Sequence, residues 1–207
     1  MADIKDPKNT IVMETTKGNV LIELFPDLAP NHVERIKKLT QEHYYDGCNF
    51  HRVIGGFMAQ TGYRSDKHFG SGYGFLKSEF SKSKHLRGTC SMSRKSDPDS
   101  ADCEFFICFE DSPVSDGQYT VWGKVIEGME NIDRLERGDP VRNPDKIISM
   151  KIVEDPVVTS KVSAALGRIQ DTDSETADLT KKQTLQQASS SVLAQTNRLP
   201  VDVLKKH

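Results

Sequence analysis

The chain has 207 residues, and 28 Lys+Arg against 30 Asp+Glu leave a formal net charge of -2. That balance argues against a sequence-blind nucleic-acid binder, which needs a positive surplus to displace counterions, and no apolar run approaches the length of a bilayer-spanning helix. The opening MADIKDPKNT lacks the charged-then-apolar layout of a secretory signal, so a cytoplasmic chain with no membrane or nucleic-acid partner is expected. In that compartment Cys48, Cys90, Cys103 and Cys108 would remain thiols.

The residues are unevenly distributed. All 15 aromatics lie between Phe25 and Trp122, and after Val157 Ser, Thr, Gln and Lys dominate. Aromatics supply large buried areas, so a stretch without them has little to offset the entropy of ordering. A compact domain over 8–156 and a polar C-terminal tail over 157–207 follow. The tail should be flexible or weakly helical, with a broken stripe at Leu179, Leu185, Val192 and Leu193.

In chain order, Ile11–Thr15 and Asn19–Phe25 read as a β-hairpin turning at Thr16-Lys17-Gly18, ended by Pro26. Pro30-Asn31 opens a helix with Val33, Ile36 and Leu39 on one side, closed by Asp46-Gly47. Cys48–Val53, Phe57–Thr61, Thr89–Ser93, Glu104–Phe109 and Thr120–Val125 read as short strands, separated by long glycine- and charge-rich loops. A second helix fits Met129–Arg137. A last strand, Lys146–Val153, sets Ile148, Met150 and Ile152 on one face. Many strands and two helices point to a mainly β fold, an antiparallel sheet closed into a barrel with helices over its openings; spacing alone leaves an open sandwich as a competitor.

The stretch Phe50–Gln60, FHRVIGGFMAQ, stands out as a candidate for chemistry. As a strand, Phe50–Val53 puts Phe50 and Arg52 on one face and His51 and Val53 on the other. Arg52 then sits among Phe50, Phe57 and Met58, with Gln60 in reach. A guanidinium there can only donate hydrogen bonds and positive field. It is equally readable as a surface arginine whose stem covers apolar neighbours.

These residues, with Gly70-Ser71-Gly72, Gly88–Met92, Glu104–Ile107, Asp116-Gly117 and Val121–Gly128 in the same order, resemble the cyclophilins over about 10–154. Cyclophilins are peptidyl-prolyl cis–trans isomerases that bind cyclosporin. The resemblance implies an eight-stranded antiparallel closed β-barrel capped by two α-helices, acting without metal or cofactor on proline-containing peptides and on unfolded or nascent proteins. Arg52 matches the catalytic arginine. Phe57, Met58 and Phe106 match the walls of the proline pocket, and Gln60 the glutamine that supports arginine and substrate. His51 matches a histidine beside the groove, best read as packing. Ser93 and Arg94 match the segment whose backbone pairs with substrate.

Several positions depart from the family pattern. Glu104 stands where glutamine is usual, and could pair with Arg52 and compete with substrate, or point elsewhere. Tyr119 replaces a pocket-edge histidine, Arg94 an asparagine, and Gly55 a proline. Val114 replaces the tryptophan that contacts cyclosporin, so weakened drug binding is expected. A monomer is the default. The competing function is a proline-peptide binding module or chaperone with incidental turnover.

Other signals are weaker. Cys48-x-x-His51 is half of a metal-site spacing and favours packing. Gly70–Gly74 lacks the ending of a phosphate loop and reads as an ordinary flexible loop. His32, His43, His68, His85 and His207, in polar contexts, read as surface residues. Leu199-Pro200 could act as a self-ligand, an unfavoured reading.

Overall fold

The computed structural model describes residues 4–64, 66 and 70–153. Strands β1 (Thr10–Thr15) and β2 (Gly18–Leu24) form the expected hairpin, with Thr15 opposite Gly18. The Thr15 hydroxyl ties the turn, donating to Gly18 O at 2.8 Å and accepting from Lys17 N at 3.1 Å. Gly18 has φ +128°, and a Cβ there would lie 2.8 Å from Asn131 Nδ2, so the position needs glycine on both counts.

Helix α1 (Pro30–Gln41) begins with proline at its first turn and buries His32, Val33, Ile36, Leu39 and Thr40. Its N-cap residue, Ala29, has no side chain that can cap. Glu79, from a distant loop, does this instead. Its Oε1 accepts from Asn31 N (3.1 Å) and Asn31 Nδ2 (2.8 Å), and its Oε2 from His32 N (3.0 Å). His32 Nδ1 lies 2.5 Å from the same Oε2. His32 is therefore fully buried, not a surface residue, because its polar neighbours in sequence are on the other side of the helix. The helix stops at Gln41, and turns rather than helix lead to Gly47, whose N–H donates to Ile147 O at 2.8 Å.

The remaining elements are β3 (Arg52–Ile54), β4 (Met58–Thr61), β5 (Thr89–Met92), β6 (Phe105–Cys108), β7 (Val121–Glu127), α2 (Met129–Asp133) and β8 (Ile147–Ile152). Helix α2 is shorter than expected; beyond it Leu135 N still donates to Ile132 O (3.2 Å) and its side chain is buried. The strands form one antiparallel sheet in the order β3-β4-β6-β5-β7-β2-β1-β8. Around its core, Tyr45 meets Phe105 edge-on at 5.4 Å, and Phe105 meets Trp122 at 5.3 Å. β7 approaches β2 so closely that a Cβ on Gly123 would lie 2.5 Å from Glu23 O.

Two expectations change here. The sheet is a curled half-barrel, not a fully closed one. Its edge strands β3 and β8 form no ladder, and the gap is spanned by isolated bridges Asn49–Lys146 and Val53–Gly138. In β8, Ile148 is exposed while Ile147 and Met150 are both buried. The β1–β8 register shifts between Glu14, opposite Ser149, and Thr15, opposite Ile147. Ile148 is the extra residue of that irregularity, and one inserted residue reverses the inside–outside alternation.

The Gly70–Gly74 loop is anchored. Asp102 accepts from Ser71 N (2.8 Å) and the Ser71 hydroxyl, while Arg35 Nη1 donates to Asp102 Oδ1 (2.7 Å) and Gly74 O (2.9 Å). No helix among the described residues is long and apolar enough to cross a membrane. The tail expectations, including the helical stripe and Leu199-Pro200, and those for His68 and His207, lie outside the described residues.

Candidate active site

The site is built on the outer face of β3, β4 and β6. Along each strand alternate residues point inward, where Val53, Ala59, Phe105 and Ile107 join the main core. The residues between them face outward and align across the sheet. Arg52 is opposite Gln60, Gln60 opposite Phe106, and Phe106 opposite Ser91. The next row runs Ile54–Met58–Cys108. Met58, Phe106 and Cys108 form a second buried apolar cluster, separate from the core, with Ile54, Phe57 and Tyr119 packed on it. Phe57 sits in the tight β3–β4 turn, its N–H donating to Ile54 O at 3.1 Å.

Phe50 does not belong to this face. The ladder begins only at Arg52, so the alternation does not extend back to Phe50, which is fully buried in the main core. The rings beside Arg52's row are instead Phe106 and Phe57, with the Met58 thioether. Tyr119 meets Phe106 edge-on at 5.3 Å. Burial pushes the Cys108 thiol up to about 12, so it serves as an apolar wall.

The polar groups are wired differently from expectation. Arg52 and Gln60 are cross-strand partners, yet each is hydrogen-bonded elsewhere. Arg52 Nε donates to Asp139 Oδ2 at 2.9 Å, and Gln60 Nε2 donates to Glu104 Oε2 at 3.0 Å. Glu104 therefore pairs not with Arg52 but with Gln60 and with His51, whose Nε2 lies 3.5 Å away. His51 also meets Tyr63 edge-on at 5.9 Å. Ser93 N donates to Glu104 O at 2.8 Å, so this N–H is not free for a peptide. The Arg94 side chain is held in place, 4.9 Å from the Tyr119 ring centroid and donating from Nε to Gln118 O at 2.9 Å.

All ten anticipated residues thus lie on or beside one surface. Two supporting groups were missed. Asp139 comes from a loop 87 positions from Arg52, and no local pattern announces it. His85, expected on the surface, is buried behind the pocket, stacked on Phe106 at 6.1 Å. Its Nδ1 lies 3.2 Å from Asp116 Oδ1 and its Nε2 3.0 Å from Ser91 Oγ. Burial holds its pKa below the ordinary value, against the pull of Asp116. Asp116 is itself held at about 2 by the His85 backbone N–H and by Lys84. Among the described residues no three His, Cys, Asp or Glu side chains converge to hold a metal ion.

Residues 10–154 match the family model for cyclophilin type peptidyl-prolyl cis-trans isomerases. The chain is a cyclophilin. Among curated relatives of this cyclophilin, a probable peptidyl-prolyl cis-trans isomerase of Brucella suis is 47% identical, the match spanning 74% of this chain and 87% of the relative. A peptidyl-prolyl cis-trans isomerase of Helicobacter pylori is 39% identical over 63% of this chain and 82% of its own. Among solved structures, the cyclophilin AquaCyp293 of Hirschia baltica superposes with TM-score 0.67 at 31% identity, covering 72% of this chain and 76% of that one. A Cryptosporidium parvum cyclophilin type isomerase crystallised in the presence of the dipeptide Ala-Pro gives 0.60 at 25% identity, over 69% and 98% of the two chains. Residues 157–205 of this cyclophilin match a second model, the bacterial flagellin C-terminal helical region.

Proposed function

We propose that this cyclophilin accelerates rotation about Xaa–Pro bonds of peptide segments laid against the Arg52–Gln60–Phe106 row. Uncatalysed rotation takes tens to hundreds of seconds, which corresponds to a barrier of about 20 kcal/mol. The barrier is amide resonance, lost when the C–N bond twists to about 90°. The prolyl nitrogen then regains a lone pair that can accept a hydrogen bond, which the planar amide cannot.

The Arg52–Asp139 geometry is the observation that carries this reading. Asp139 takes the Nε–H of Arg52 and leaves the terminal guanidinium N–H groups without a partner among the described residues. A permanently cationic donor, tethered at one edge, is thereby presented beside an apolar cluster of Met58, Phe106, Phe57 and Tyr119 suited to a proline ring. Arg52 favours the twisted state over either planar one, so catalysis is differential binding with no covalent intermediate. One charge-assisted hydrogen bond supplies about 1.5–3 kcal/mol, whereas a millionfold gain needs about 8 kcal/mol. Gripping the ring and desolvating the carbonyl supply the remainder.

Side-by-side isomerase assays of wild type and Arg52→Ala on an Ala-Pro peptide test the reading. A loss of turnover of at least a hundredfold, with peptide binding weakened far less, is expected. Equal losses would make Arg52 a binding residue, and no acceleration by wild type would favour the proline-peptide binding module.

A further inference from the structure

Glu104 is the feature of this surface that the isomerisation chemistry does not use. Glu104 immediately precedes β6, and the bond from the side chain of Gln60, the cross-strand partner of Phe106, brings its carboxylate beside the pocket formed by Phe106 and Cys108. Its backbone is held by the bond from Ser93 N, and its Oε2 by the Gln60 amide at 3.0 Å. The side chain is 33% exposed, and Oε1 has no hydrogen-bond partner among the described residues. Among the described residues no lysine or arginine pairs with it; its one ionisable neighbour is His51, at 3.5 Å. The arginines of this surface bond to other groups, Arg52 through Nε to Asp139 and Arg94 to Gln118 O and the Tyr119 ring. A fixed, part-solvated carboxylate with no lysine or arginine partner among the described residues is thus built into the rim of the groove.

Resting on the isomerase reading above, we infer that Glu104 is a specificity-determining residue that selects proline segments carrying a lysine or arginine within about two residues of the proline. The distance follows from strand geometry. Glu104 is two residues before Phe106, where the Ser93 N to Glu104 O bond continues the pairing of β5 with β6, and two residues of extended chain span about 7 Å, with residues two apart in an extended peptide pointing the same way. With the proline ring against Phe106, the side chain two positions along therefore comes over Glu104. An ammonium or guanidinium there gives Glu104 the cationic partner that no lysine or arginine among the described residues supplies. The contact is part-exposed, so it acts through KM and weakens with salt.

The test is kcat/KM for matched Ala-Pro peptides bearing Lys, Ala or Glu two positions before or two positions after the proline. Wild type, Glu104→Gln and Glu104→Lys are compared at low and high ionic strength. Wild type should prefer the lysine peptide over the alanine peptide by about fivefold at low salt in at least one of the two placements, mainly through KM. That ratio should fall to near one in Glu104→Gln, whose side-chain carbonyl still accepts from Gln60, and should invert in favour of the glutamate peptide in Glu104→Lys. A wild-type ratio of one in both placements, or a ratio unchanged in Glu104→Gln, overturns the inference while turnover of the alanine peptide leaves the isomerase reading standing. Absence of turnover on every peptide overturns both.

Discussion

Arg52 and Asp139 are 87 positions apart in the chain and joined by a 2.9 Å bond from Nε to Oδ2. The bond uses one edge of the guanidinium and leaves the other exposed, so under the proposed mechanism Asp139 is a positioning residue for the arginine. Arginine has several rotatable bonds, and restricting them before substrate arrives saves part of their entropy in the transition state.

Asp139→Ala should therefore lower kcat by about three- to tenfold with little change in KM for a neutral peptide. Asp139→Asn keeps an acceptor oxygen and should recover most of that loss. Because both side chains are part-exposed, unfolding free energy should change by less than about 1 kcal/mol. Steady-state kinetics beside denaturant titrations check this, and a large stability loss with unchanged kcat would make the pair structural.

Acid should weaken the fold in two stages. His32 and His85 are buried, and burial holds both imidazoles below their ordinary value of 6.5. Below about pH 6.5 the unfolded chain takes up protons that the folded chain resists, so stability is full above that pH and declines as pH falls toward the folded values. Asp116 adds a later stage, since its carboxyl is held at about 2 against an ordinary 3.8 and its contribution is lost as pH falls through that interval. Denaturation midpoints should drop from pH 7.5 to pH 5, and more steeply below pH 4. His85→Gln should flatten the first stage; a rise in stability on acidification would contradict the assignment.

Glu79 caps α1 from outside the helix, taking the two backbone N–H groups of Asn31 and His32 and facing the buried His32 ring. Glu79→Ala removes the cap and leaves a buried imidazole nitrogen unpaired. The expected cost is about 2–4 kcal/mol, combining a lost cap with an unsatisfied buried polar group. Glu79→Gln, which can still accept from the backbone N–H groups, should cost about half as much. Denaturant unfolding of the two variants measures both.

The amino-acid order alone carried the hairpin at Thr15–Gly18, the apolar stripe Val33–Ile36–Leu39 of α1, the strand positions apart from β3, and the motif around Arg52, because turn chemistry and alternation are set by neighbours a few residues apart. What it misjudged depends on contacts far along the chain. Phe50 turned into the core because the ladder starts at Arg52. Ile148 turned out to solvent because β1 and β8 pair with a shifted register. His32 and His85 are buried because Glu79 and Asp116, 47 and 31 positions away, supply the partners that make burial tolerable. The same holds at the site: residue types named Arg52, Gln60 and Glu104, but only the packed sheet assigned Arg52 to Asp139 and Gln60 to Glu104. Local pattern determines which face a side chain tends to take; the hydrogen-bond partner it finds there is decided when distant strands and loops close around it.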